Sequence, residues 1–242
     1  MNGHLARIAM VSFGIAAICL VLGALTGGLS FAGQNHRWWR VAALGCAGTP
    51  SGASDGRQDS VTLAWQATDR LDIDLPATVD YWPGPKGEAV ISGDAGLISH
   101  VRLSGGELGF DSSSDCFPAG SLAVHLTGPA VGNWRLRGSG KLTLSGIDQD
   151  ALDIEVSGSG DVAASGTARR MALRISGSGA ADLSKLVTKS AALRLSGSGE
   201  ADVAPQDEAD IHISGSGSVV LHGHPARIQS HVSGSGRIRQ EP

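Results

Sequence analysis

Aromatic residues are scarce in this sequence, at 4% of 242 residues with a single tyrosine, so there is little material for stacking platforms that hold sugars. Basic charge is not in excess either. The formal net charge is −4; residues 33–130 carry 6 Lys and Arg against 11 Asp and Glu, and residues 131–242 carry 12 against 12. Without a basic footprint, nucleic acid is excluded as a partner. Three cysteines are too few for a disulfide-built scaffold. Past residue 32 no stretch keeps a long helical period. What abounds is glycine, with 35 residues and no strict three-residue period, which excludes collagen, while 41% hydrophobic content excludes a wholly disordered chain. The length suits one ordinary domain or two small ones, and a folded, glycine-rich, β-rich protein is what remains.

Residues 8–32 carry no charge and follow Arg7. They read either as a signal peptide, with small Ser30 and Ala32 before a cleavage point at Gly33, or as an apolar helix long enough to anchor in a bilayer. Arg37, Trp38, Trp39 and Arg40 then form a collar of interfacial type. Both readings place the remainder outside the cytoplasm, with the membrane a partner only if the segment is retained. Cys46 and Cys116 are an even pair in that exported part and a candidate disulfide; two free thiols, or a lipid on Cys46, are the alternatives. Residues 33–59 read as a flexible linker, and residues 60–240 as one folded domain.

Period-two alternation begins at Val61, Leu63 and Trp65 and recurs at Leu71, Ile73 and Leu75, with turn signals such as Pro83-Gly84-Pro85 and Ser104-Gly105-Gly106 between short runs. Then a repeat takes over. Ser-Gly-Ser-Gly starts at Ser157, Ser176, Ser196, Ser214 and Ser233, and Arg137-Gly138-Ser139-Gly140 stands one period earlier, with spacings of 20, 19, 20, 18 and 19 residues. The residue before each tetrapeptide is Leu136, Val156, Ile175, Leu195, Ile213 or Val232, always apolar. The one before that is Arg135, Glu155, Arg174, Arg194, His212 or His231, always polar. A second alternating run follows each tetrapeptide, so every coil is expected to hold at least two strands. A fixed period of this length marks a solenoid of stacked coils. Two glycines per coil in fixed register point to positive φ or close backbone approach at a corner, where the serines can bond neighbouring coils or local backbone.

These residues together resemble the GIN domain, the head domain of bacterial auto-transporter adhesins, over roughly residues 69–238. The resemblance implies an all-β fold, a single-stranded right-handed parallel β-helix with ~19-residue coils behind the N-terminal signal or anchor helix. It implies a non-enzymatic cell-envelope protein with an adhesin-like or scaffolding role, whose partners are envelope glycans or another surface protein. It brings no catalytic residue, cofactor or metal.

The residues also allow other chemistry. No tetrapeptide continues into a dinucleotide fingerprint, because the position three past the last glycine holds Thr143, Ala163, Asp182, Asp202, Val220 or Arg239. Asp182 and Asp202 each lie six residues after the first serine of a tetrapeptide, so stacked coils would bring their carboxylates about 5 Å apart, as in a retaining glycosidase. The ordinary alternative is two solvated charges at a coil edge. Arg174, Arg194, His212 and His231 form a column able to hold an anionic polymer such as an acidic polysaccharide, or simply a soluble face. His222-Gly223-His224 offers two imidazoles to a metal, against Gly223 and Pro225 signalling a plain turn. Tyr81 and Trp82 are alternative exposed rings. Two further readings therefore stand beside the adhesin-like one: a polysaccharide-binding or polysaccharide-active β-helix using Asp182 and Asp202, and a membrane-tethered periplasmic regulatory partner.

Overall fold

The computed structural model describes residues 58–66, 68–111 and 121–241. The apolar segment 8–32, nearly all of the 33–59 linker, and both Cys46 and Cys116 lie outside the described residues. Of the described residues 76% are in strands and 2% in helix, wound as a β-solenoid of about five turns.

The regular part follows from parallel, in-register stacking. Strands β8 (Asn133–Gly138), β9 (Lys141–Gly158), β10 (Asp161–Gly177), β11 (Ala180–Gly197) and β12 (Glu200–Gly215) pair in parallel, each with the next. The last coil divides into β13 (Ser218–His222), β14 (Arg227–Gly234) and β15 (Arg237–Glu241); β13 and β14 lie on β12, and β15 on β13. In register, residues of one alignment column sit directly over one another: Leu173 faces Leu193, Arg174 faces Arg194, and Ile175 faces Leu195. Val156, Ile175, Leu195 and Ile213 are all buried in one core cluster with Trp134, Ile154, Leu173, Leu193 and Ile211. Alternation sends these columns inward and the residues between them outward.

One expectation needs correction. Each of coils β9, β10 and β11 is one bent strand of 17 or 18 residues, not two strands parted by a turn. Pairing carries through the bends, absorbed by register shifts between Ala163 and Ser165 on one side of β10 and between Ala164 and Gly166 on the other. At the tetrapeptide corner the strands end, yet bonds continue from coil to coil: the Ser178 N–H donates to Gly158 O at 2.9 Å, and that of Ser198 to Gly177 O at 2.9 Å.

The early part does not coil on in chain order, which limits the parallel β-helix to less than the expected 60–240. β1 (Gln58–Ala64) pairs antiparallel with β4 (Glu88–Asp94), and β4 antiparallel with β7 (Leu122–Gly128). β5 (Val101–Ser104) and β6 (Glu107–Phe110) form an antiparallel hairpin. Its two-residue loop, Gly105 and Gly106, has φ of 59° and 80°, positive at both central positions. β2 (Arg70–Asp74) sits between β6 and β8, and β3 (Thr78–Pro83) between β7 and β9, all parallel. An early segment is thus inserted between two later ones. The antiparallel strands beyond it cover the edge that a parallel coil would leave open. A four-residue helix, α1 (Ala95–Ile98), capped by the Asp94 carboxylate accepting from Gly96 N–H at 3.0 Å, adds buried Leu97 and Ile98.

Candidate functional site

Between the inward columns, β8 to β12 and β14 turn Arg135, Glu155, Arg174, Arg194, His212 and His231 outward, each in register with the next coil's. Beside them runs a parallel row of Ser157, Ser176, Ser196, Ser214 and Ser233. From Glu155 to His231 in the first row and from Ser176 to Ser233 in the second, they border a shallow groove of about 480 Å³ along the solenoid axis, floored by the column of Val156, Ile175, Leu195 and Ile213 on β9 to β12.

The charges along this row are not evenly neutralised. Arg135 Nε lies 2.9 Å from Glu155 Oε2, and His212 Nδ1 lies 3.4 Å from Asp210 Oδ1. The His212 and His231 rings stand 6.0 Å apart, tilted by 44°. Arg174 and Arg194, between those pairs, have no carboxylate within ion-pair distance among the described residues. In the next outward column their neighbours are Ala172 and Ala192. The serine hydroxyls of the row make no hydrogen bond among the described residues, so they do not stitch coil to coil as the sequence allowed; the corner glycine carbonyls and backbone N–H groups do that.

Asp182 and Asp202 are register partners on β11 and β12, so the structure brings them together on adjacent coils. Their surroundings separate them chemically. Asp182 accepts from the Ser184 hydroxyl at 2.6 Å and from the Ser184 N–H at 3.2 Å, which holds its carboxyl below the usual range. Asp202 is pushed up, chiefly by partial burial and then by repulsion from Asp182 and Glu200, with His222 opposing.

The remaining candidates disperse. His222 ends β13, Gly223 bends the chain out of it with φ of 86°, and Gln240 Nε2 lies 2.8 Å from His224 Nδ1; among the described residues no group of three His, Cys, Asp or Glu is placed to hold a metal. Tyr81 is core, its hydroxyl donating to Gly128 O at 3.1 Å and Pro129 O at 2.9 Å and its ring 4.8 Å from Trp134; burial pushes its pKa up. Trp82, one residue on and therefore on the other face, is 43% exposed and lies 6.0 Å from the His125 ring. The free serine row is what a reading of charge alone passes over; the repeat carried its signal, since each serine keeps one distance from the arginine-histidine column.

Fold and surface together define an all-β solenoid that shows its surroundings repeated outward ladders. Residues 69–225 match the family described as "Putative auto-transporter adhesin, head GIN domain", and the chain belongs to that family. Among solved structures, it is similar to a "putative adhesin" from Bacteroides fragilis NCTC 9343, with 19% identity and a TM-score of 0.63 over 76% of this chain and 97% of that one. It is also similar to a "Putative lipid binding protein" from Parabacteroides distasonis ATCC 8503, with 18% identity and a TM-score of 0.51 over 78% and 98%. At such identities the likeness is one of fold. No curated protein matches the chain. Among the described residues no helix is long and apolar enough to cross a membrane.

Proposed function

We propose that this chain is a non-enzymatic attachment or scaffolding protein of the bacterial envelope, carrying its solenoid outside the cytoplasm. Membership of an adhesin family supports this reading. The observation that carries it is the outer face itself: parallel register repeats one residue type on successive coils, as at Arg174 and Arg194 or Ser176 and Ser196. A repeated face suits an extended partner or a surface, whereas a substrate site is ordinarily a concave pocket that encloses its ligand.

A second reading is favoured by the Asp182–Asp202 pair, whose carboxyls are shifted in opposite directions as an acid and base require. The double variant Asp182→Asn/Asp202→Asn separates the two. Attachment predicts unchanged retention of purified protein on envelope preparations and no glycan turnover by either form; turnover by the native chain that the variant loses overturns it. Location is checked by protease treatment of intact cells and fractionation: the solenoid is expected in the envelope and not in the cytoplasmic fraction.

A further inference from the structure

We propose that the groove between the Arg174–His231 column and the serine row is a binding site for an acidic polysaccharide lying along the solenoid axis. The inference rests on the attachment reading and names the chemistry of its partner. Two facts of the surface go unexplained by stability. Arg174 and Arg194 are directly opposed across neighbouring strands, an arrangement of like charges that weakens a sheet, and neither has a carboxylate within ion-pair distance among the described residues, although Glu155 is the register neighbour of Arg174 on its other side. Nearby acids are already engaged: Glu155 with Arg135, and Asp210 with His212. The serine hydroxyls, next to these guanidiniums, are likewise unspent.

A carboxylated glycan fits all of this. Guanidinium groups bind carboxylates through paired, charge-assisted hydrogen bonds, and free serine hydroxyls both donate to and accept from sugar hydroxyls. Coils repeat every ~4.8 Å, close to the advance of one pyranose along an extended glycan, so the spacing of the sugars matches that of the coils. The groove is shallow and open along the axis, which admits a chain and does not enclose a small molecule. Nucleic acid fits poorly, since the chain is net acidic at −4 and no Phe, Tyr or Trp side chain borders the groove to stack on a base. His212 and His231 extend the row, with Arg194 and Asp210 beside His212 and the two rings facing each other at 6.0 Å.

The test uses the full chain with polygalacturonate as probe, neutral dextran as its uncharged counterpart and a DNA oligonucleotide as the competing class. The native protein is expected to bind polygalacturonate in a salt-sensitive manner and to ignore dextran. Arg174→Gln/Arg194→Gln is expected to weaken binding by about tenfold or more. Arg169→Gln, which removes a cation paired with Asp150 elsewhere on the coil, is expected to leave it within about twofold. Circular dichroism guards against misfolding, and Arg174→Lys/Arg194→Lys, which keeps both charges, is expected to restore part of the affinity. No binding to polygalacturonate, equal loss with Arg169→Gln, or tighter binding of DNA each overturns the proposal. A native chain that is envelope-bound and attaches yet ignores polygalacturonate sinks this inference alone; degradation of polygalacturonate sinks the attachment reading.

Discussion

Two glycines occupy each corner of the repeat for different physical reasons. Gly177 has φ of 125°, and a Cβ there would lie 2.3 Å from Gly158 O in the coil below. At Gly179 φ is not positive; its Cβ would meet Gly160 O at 2.5 Å and Val156 Cγ1 at 2.9 Å. Strain and close approach therefore add at the first position, while close approach alone acts at the second. Gly177→Ala is expected to cost at least ~2 kcal/mol, and Gly138→Ala, with φ of 84° but nothing within 4 Å, about 1 kcal/mol, both read from urea denaturation. Equal costs would mean that contact between coils does not set the corner. Asp182 and Asp202 respond to pH with opposite signs. The lowered pKa of Asp182 contributes stability above the unfolded carboxylate value that is lost as pH falls through the folded one. The raised pKa of Asp202 favours the fold only in acid, a contribution lost as pH rises through its folded value. At neutral pH, Asp182→Asn should therefore lower the unfolding free energy read from urea denaturation and Asp202→Asn raise it, each by no more than about 0.5 kcal/mol because both side chains are largely solvated, with the differences vanishing in strong acid.

The elements differ in how far the sequence announces them. The stacked coils were legible because contacts between β9, β10, β11 and β12 join positions one period apart, so the alignment of Val156, Ile175, Leu195 and Ile213 is already a contact map. The single bent strand per coil was not. Ser145-Gly146 and Ser165-Gly166 look like turns locally, but parallel partners above and below hold the chain in strand conformation across them. Pro205 lies inside β12, opposite Thr188 and between two register shifts, a stretch of irregular ladder that tolerates a missing donor. The seating of β2 between β6 and β8 left no trace in the sequence either, since it joins segments with no shared repeat. Of the candidate site, period and parity gave the arginine-histidine column and the Asp182–Asp202 stacking; which charges are neutralised depends on side-chain reach between coils and needed coordinates.

At the largest scale described, the solenoid is asymmetric along its axis. At the early end, antiparallel β1, β4 and β7 succeed the parallel coils and bring in buried Ala89, Ile91, Val124 and Leu126. At the other end, β14 pairs only with β12 and every one of its residues is exposed, with Ile228 and Val232 at 41% and 40%. In a solenoid each coil is stabilised by its neighbours alone, so an inward-facing apolar residue should be worth less where only one neighbour exists. Leu193 lies between Leu173 and Ile211 and is fully buried, whereas Val232 rests on Ile213 alone. Leu193→Ala is thus expected to cost ~2–5 kcal/mol, as large-to-small changes in packed cores do, and Val232→Ala less than about 1 kcal/mol. Denaturant midpoints of the two variants check this. A cost at Val232 matching that at Leu193 would show that the final coil is covered in solution, by a second copy or by a part of the chain outside the described residues, and that the molecule's free end is not the surface it presents.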